Sequence, residues 1–155
     1  MDMNTFSATL VTGIVATLST DLWALARRRL CGIPLPNYGF VGRWIAHMPR
    51  GRFRHKSIAA ASPARGEGFI GWSAHYLIGI AFAFLLPQQP ALATALLVGI
   101  ATVAAPFFVM QPAMGAGIAA SRTPRPNIAR LQSLVNHGIF GLGLYAGALV
   151  TAGWR

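Results

Sequence analysis

Four apolar stretches, each long enough to cross a lipid bilayer as a helix, limit what this chain can fold into. They cover residues 5–26, 69–86, 91–111 and 131–153. A transmembrane helix needs about 20 mostly apolar residues, and only structures that satisfy their own backbone hydrogen bonds, such as helices, are stable in hydrocarbon. The sequence therefore predicts an all-α integral membrane protein, folded as a four-helix bundle in one membrane domain.

The composition agrees with this class of protein. Charged residues make up 10% of the chain and hydrophobic residues 54%, whereas about 25% of the residues in a soluble domain are charged. Four spans and their connections use nearly all of the 155 residues, which leaves no room for a separate soluble catalytic domain. We therefore expect the protein to act in or beside the lipid bilayer.

The basic residues predict how the chain crosses the membrane. Nine of the 13 lysines and arginines lie between the first and second spans, and three lie between the third and fourth. Because cytoplasmic loops are enriched in cations, residues 27–68 and 112–130 are predicted to be cytoplasmic and both termini periplasmic. The first four residues lack the cations of a cleaved signal peptide. The first span is therefore expected to remain as an anchor.

The first cytoplasmic loop contains an amphipathic segment. Its apolar residues recur at the spacing of one helix face, and they are Phe40, Val41, Trp44, Ile45 and Met48. This pattern predicts a short interfacial helix with Trp44 in the headgroup layer. Arg43 and His47 are expected to face away from the apolar side, and Asn37 is expected to cap the start of the helix.

A basic run follows that segment and is predicted to bind anionic lipid headgroups. Its cations are Arg50, Arg52, Arg54 and Lys56. Each cation beside an anionic membrane contributes about 1 kcal/mol of attraction. Nucleic acid is an unfavoured partner, because the aromatic residues that single-strand binders place between their cations are reduced here to Phe53. His47 and His55 are expected to face solvent in this loop.

The third span contains prolines that interrupt helices. Pro106 and Pro112 are expected to kink or break it. Beyond Gln111 the chain stays apolar, and two interpretations are open. Either the helix ends at Gln111 and an interfacial loop follows, or Gly115 and Gly117 allow an unwound, re-entrant segment covered by protein or water.

The fourth span contains a GxxxG motif formed by Gly143 and Gly147. Small residues at this spacing let membrane helices approach closely, so these glycines are predicted to pack against another helix. A chain of this length is expected to need further copies of itself to enclose a path, and this glycine face is where a homo-oligomeric contact is predicted.

Three ionisable side chains within the spans are the candidate functional residues. They are Asp21, His75 and His137, and each ionisable group in a span costs roughly 3 kcal/mol on insertion scales. At a rise of about 1.5 Å per residue, all three lie at a similar depth from the cytoplasmic ends of their spans. Gln111 lies near the same level. The sequence therefore predicts a shared polar site in the cytoplasmic leaflet.

Three uses of this polar site are open. The carboxylate and an imidazole satisfy one another as a purely structural pair, or they pass protons near neutral pH. In the third, Asp21, His75 and His137 bind a divalent metal such as zinc, with Gln111 or water completing the shell, or the two histidines bind haem. No short-spaced metal-binding motif supports the third use.

The leading functional hypothesis is therefore handling of protons, a small ion or a small solute. The competing hypothesis is an accessory subunit that packs against a larger membrane complex and binds lipid or a partner through its basic loop. The sequence favours a protein that is not an enzyme, because it contains no Ser/His/Asp arrangement, phosphate-binding loop or carboxylate pair. Only Asp21 could act as a base.

Six short strings spread over nearly the whole chain carry a resemblance to a known family. They are DLWA (21–24), VGRW (41–44), HMPRGRF (47–53), GWSAHY (71–76), PFFVMQP (106–112) and FGLGLY (140–145). Together they resemble a family of small bacterial inner-membrane proteins known only as a domain of unknown function. The resemblance implies four spans in a bacterial plasma membrane, and it implies no activity, ligand or catalytic residue.

Overall fold

The computed structural model describes residues 2–154, and within them the chain is helical with no β-strand. The helices are α1 (Met3–Cys31), α2 (Tyr38–His47), α3 (Glu67–Ala83), α4 (Leu92–Ala101), α5 (Gln111–Met114) and α6 (Pro126–Val150). A π-helical turn, Pro106–Met110, leads into α5. The prediction of an all-α fold is confirmed.

Three helical stretches are long and apolar enough to cross a membrane. They are Met3–Cys31, Leu92–Met114 and Pro126–Val150, and the second of them combines α4, the π-helical turn and α5. Only 17% of the most apolar 18 residues of this stretch are buried inside the protein. Such exposed apolar surface is unfavourable in water and suits a lipid environment, which indicates a membrane protein.

The described chain divides into two compact units. The first contains residues 2–36, 76–102 and 134–154, and the second contains residues 37–75 and 103–133. The first unit therefore holds most of the apolar helices. The second unit holds α2, the basic run and the segment that follows the third predicted span.

In the first unit, α6 packs tightly against α1. A Cβ atom added to Gly143 would lie 2.6 Å from Cα of Ala16, and one added to Gly147 would lie 2.7 Å from Cα of Thr12. Gly143 thus meets Ala16, and the later Gly147 meets the earlier Thr12. The two helices are therefore antiparallel. This glycine face is occupied by α1 of the same chain, and a second copy could use it only by displacing α1.

The core of the first unit is small and lies between these helices. Gly99 of α4 approaches the backbone of Gly141 on α6 so closely that a Cβ there would lie 2.5 Å from its Cα. Around this contact, Ala95, Phe140 and Leu144 are buried, and Leu144 is completely inaccessible. Small residues thus let the helices meet, and a few large side chains fill the space between them.

In the second unit, α2 lies across the first turns of α3. Gly42 lies directly against the backbone carbonyl of Glu67, and Gly71 lies against that of Tyr38, so neither position has room for a side chain. Asn37 occupies the predicted capping position, but its side chain makes no capping hydrogen bond. The predicted helix of the first loop is therefore present, and its predicted cap is wrong.

The third predicted span changes geometry near its prolines. Since Pro106 has no N–H group, it cannot bond the carbonyl four residues earlier, and α4 ends at Ala101. The chain then forms a π-helical turn in which the N–H of Gln111 bonds the carbonyl of Pro106. Helix continues to Met114 and ends at Gly115, which has a φ of 97°. The helical segment therefore extends past Gln111 before the chain turns.

Candidate functional site

Asp21 is bound by a tyrosine from a neighbouring helix. The hydroxyl of Tyr76 on α3 donates a hydrogen bond to the Asp21 carboxylate on α1 at 2.9 Å. Both residues belong to the first unit, and both side chains are partly buried. The Asp21 carboxyl group, inside a predicted span, therefore has a polar partner. Such a partner is expected, because placing a carboxyl group in lipid is costly.

His137 makes a second polar contact within the first unit. Its Nδ1 atom lies 2.8 Å from Oγ1 of Thr102, which follows α4. The Thr102 hydroxyl also donates to the carbonyl of Gly99. Because a hydroxyl has a single proton to donate, the Nδ1 atom of His137 then carries a proton and bonds the hydroxyl oxygen. That tautomer leaves Nε2 as the atom that can accept a proton.

His75 and Gln111 belong to the second unit. The His75 ring stacks on the ring of Tyr38, with 4.1 Å between centroids, and contacts the edge of Trp72 at 5.9 Å. The Oε1 atom of Gln111 is buried, and it has no hydrogen-bond partner among residues 2–154. Asp21 and His137 thus belong to the first unit, and His75 and Gln111 belong to the second. The single shared site stays a prediction.

The metal and haem alternatives also stay predictions. Within the part of the chain that the structure describes, no group of three or more His, Cys, Asp or Glu side chains is arranged to hold a metal ion. The partners of the candidate residues, Tyr76 and Thr102, were not predicted. Hydroxyl groups are common in helices, and nothing local in the sequence distinguishes these two from the others.

Arg43, which was expected to face away from the apolar side of α2, is buried. Only 7% of the residue is exposed. Its Nε and Nη2 atoms bond the two carboxylate oxygens of Glu67 at 2.8 and 2.7 Å. Its Nη1 atom donates to the carbonyls of Ile58 and Ala61 at 3.1 and 3.0 Å. One guanidinium therefore holds together α2, the start of α3 and the loop between them.

This ion pair changes the titration of Glu67. The Arg43 guanidinium and the backbone N–H of Ala64, which bonds Oε2 of Glu67 at 2.8 Å, lower the pKa of the carboxyl from 4.5 to about 2. In return, the hydrogen bonds that Arg43 donates to Glu67 raise the pKa of Arg43. Each partner thus stabilises the charged form of the other.

His47 and His55 contact each other instead of pointing separately into solvent. Nδ1 of His47 lies 2.9 Å from Nε2 of His55, so that one ring donates and the other accepts. His47 is only 5% exposed, and its predicted solvent-facing position is wrong. The two residues are eight positions apart, across the tight turn at Gly51, which has a φ of 73°.

The predicted lipid-binding run is divided between two clefts of the second unit. Arg50 and Arg52 line a cleft of about 530 Å³, which also receives Arg65. Lys56, Arg54 and Arg122 line a second cleft of about 490 Å³. The chain beside the second cleft is fixed by backbone hydrogen bonds from His55 to Ala113 and from Ile58 to Met114, at 2.8 and 3.0 Å.

The sequence of the chain matches a known protein family over most of its length. A family model described as a protein of unknown function, DUF2938, matches residues 10–151. The chain belongs to the DUF2938 family. This confirms the predicted membership of an uncharacterised family, and the DUF2938 match includes every residue of the candidate polar site. No significant match was found among curated proteins or among solved structures.

Proposed function

We propose that the protein handles protons, or a small ion or solute, at polar side chains within its membrane-spanning helices. The observation that supports this most directly is the 2.9 Å hydrogen bond between Tyr76 and Asp21. A phenol is a neutral donor, so it stabilises the carboxylate without cancelling its charge. The carboxyl group can therefore gain and lose a proton or a cation while the helices remain packed.

His137 offers a second proton-accepting group in the same unit. With Nδ1 bonded to Thr102, Nε2 is the ring nitrogen that remains able to accept a proton. An intramembrane carboxyl and an intramembrane imidazole are the groups from which proton relays are built. Both groups lie on helices that belong to predicted spans.

We propose further that the protein is a four-helix bundle in a bacterial inner membrane. The predicted second span, which is not among the three long apolar helices, is α3; it has 17 residues and continues as hydrogen-bonded turns to Leu86. Twenty residues of helix cover about 30 Å, the thickness of the hydrocarbon. Leu77 of α3 is 65% exposed, as expected of a side chain that faces lipid.

Two sets of contacts support placing both termini in the periplasm. The loop before α3 bonds α5 through His55 and Ala113, so the chain between them crosses the membrane an even number of times. In the first unit, Oγ1 of Thr12, in the first half of α1, lies 3.5 Å from Oγ1 of Thr151, just after α6. The basic loops then share the cytoplasmic side, and the ends of the chain share the other.

Proton flux through the purified protein tests the proposal. We expect Asp21→Asn to reduce proton flux in proteoliposomes to the level of protein-free liposomes, because an amide does not bind and release a proton as a carboxyl group does. A pH-sensitive dye trapped in the lumen measures the flux, and circular dichroism confirms that the variant is folded. Asp2→Asn is the matched control, since the same change outside the spans keeps an acceptor for the N–H of Thr5.

Two results would contradict this proposal. One is an unchanged flux in Asp21→Asn, and the other is the absence of flux in the unmodified protein. If the protein carries no flux and is isolated in mild detergent with a large stoichiometric partner, the accessory-subunit hypothesis replaces transport.

A further inference from the structure

We propose that the cleft lined by Arg50, Arg52 and Arg65 binds a phosphate group. We call this site the arginine cleft. Arg50 and Arg52 belong to the turn that follows α2, whereas Arg65 belongs to the loop before α3. Three arginines from two parts of the loop thus line one cavity of about 530 Å³. This inference does not depend on proton handling.

The charge of the second unit favours the binding of anions. Its residues, 37–75 and 103–133, include nine lysines and arginines and a single acidic residue, Glu67. That carboxylate is already engaged by Arg43 at 2.7 Å. Among residues 2–154, no carboxylate lines the arginine cleft, so ions or ligands from outside the chain would relieve the mutual repulsion of its three cations.

Both walls of the arginine cleft are fixed by hydrogen bonds. On one side, the N–H of Arg52 bonds the carbonyl of His47 at 3.3 Å. On the other, Glu67 accepts a bond from the N–H of Ala64, the residue next to Arg65, and Arg43 donates to the carbonyl of Ala61. Walls held in place before the ligand arrives reduce the entropy cost of binding.

The chemistry of the lining selects phosphate. Guanidinium groups present two parallel N–H donors that match the oxygens of a phosphate, and they bind it with charge-assisted hydrogen bonds. The rest of the lining is formed by Ala46 and His47 of α2 and by residues 62–64. The cavity is within the size range of small-molecule sites, so it accommodates a phosphate together with part of an attached group. Such a phosphate comes from a lipid headgroup or from a soluble compound.

Two triple variants that remove the same charge test the inference. One replaces the cleft residues, as Arg50→Gln, Arg52→Gln and Arg65→Gln. The control replaces the cations of the second cleft, as Arg54→Gln, Lys56→Gln and Arg122→Gln. Binding of fluorescent phosphatidylglycerol to the full chain in neutral detergent is measured at about 150 mM salt, where attraction beyond about 8 Å is screened. Inorganic phosphate is titrated separately by calorimetry.

We expect the cleft variant to bind phosphatidylglycerol about 100-fold more weakly, from roughly a fivefold loss for each cation. The control should lose no more than about tenfold, because its cations act only through the screened field. Competition by inorganic phosphate would identify the phosphate itself as the recognised group. Saturable binding of inorganic phosphate alone, lost in the cleft variant, would assign the site to soluble phosphate compounds.

Equal weakening in the two variants would overturn the inference, because a diffuse attraction of the basic loop for anions then explains binding. The absence of saturable binding of either probe would overturn it as well. Circular dichroism of both variants controls for folding, and all six replaced side chains lie outside the buried core.

Discussion

Replacing Gly143 by alanine is expected to destabilise the protein, whereas the same replacement at Gly138 on the same helix is not. A Cβ atom at position 143 would lie 2.6 Å from Cα of Ala16 and 2.8 Å from Oγ of Ser19. Since backbone atoms of α1 cannot rotate away, the two helices must separate. Overpacking of this kind costs about 1–3 kcal/mol.

Gly138 is the matched control for this prediction. Apart from the nearby backbone of its own helix, no heavy atom of residues 2–154 lies within 4 Å of the position that its Cβ would occupy. Alanine is also favoured over glycine in a helix by up to about 1 kcal/mol. Unfolding in mixed detergent micelles, followed by circular dichroism, should therefore give free energies that change in opposite directions for the two variants. Equal effects would show that α6 does not pack on α1 through Gly143.

The ends of the helices were harder to predict than their existence. The apolar run of the first span stops before Arg27, but α1 continues through three arginines to Cys31 and ends at Gly32, which has a φ of 66°. Likewise, α6 begins at Pro126, before its predicted start at Leu131. Hydropathy marks where lipid ends, whereas a helix ends where backbone geometry ends it.

Burial of charge in the first loop could not be read from local periodicity. Arg43 and His47 fall on the polar face of α2, which in a helix lying on a membrane faces water. In the structure, that face contacts the rest of its own unit. The partner of Arg43 is 24 residues away at Glu67, and that of His47 is His55, beyond a tight turn. Only the tertiary fold brings these pairs together.

The candidate polar residues could be predicted as costly groups, but their partners could not. Asp21 and His137 stand out because charged or titratable residues are rare in spans. Tyr76 and Thr102 do not stand out, because tyrosine and threonine are ordinary residues of membrane helices. Asp21 and Tyr76 lie in strings that carry the family resemblance, which the match over residues 10–151 confirms. A family of unknown function adds no chemistry to them.

Replacing Glu67 by glutamine is expected to destabilise the second unit at neutral pH. The amide cannot form the charged pair with Arg43, whose guanidinium would be left buried among carbonyl groups with no counter-ion. The loop from Ile58 to Ala64 should then loosen, and the melting temperature should fall by several degrees. Arg43→Lys should behave similarly, because an ammonium cannot reach the carboxylate and two carbonyls together.

Acid should remove this difference between the unmodified protein and Glu67→Gln. Folding lowers the pKa of Glu67 from 4.5 to about 2, so between these values the unfolded chain binds more protons than the folded one. The stabilisation is complete above pH 4.5 and is lost as the pH falls through 2. Melting temperatures followed by tryptophan fluorescence should therefore converge as the pH falls through this interval. Because the other carboxyl groups are common to both proteins, a gap that stayed constant would assign the stabilisation to shape and not to charge.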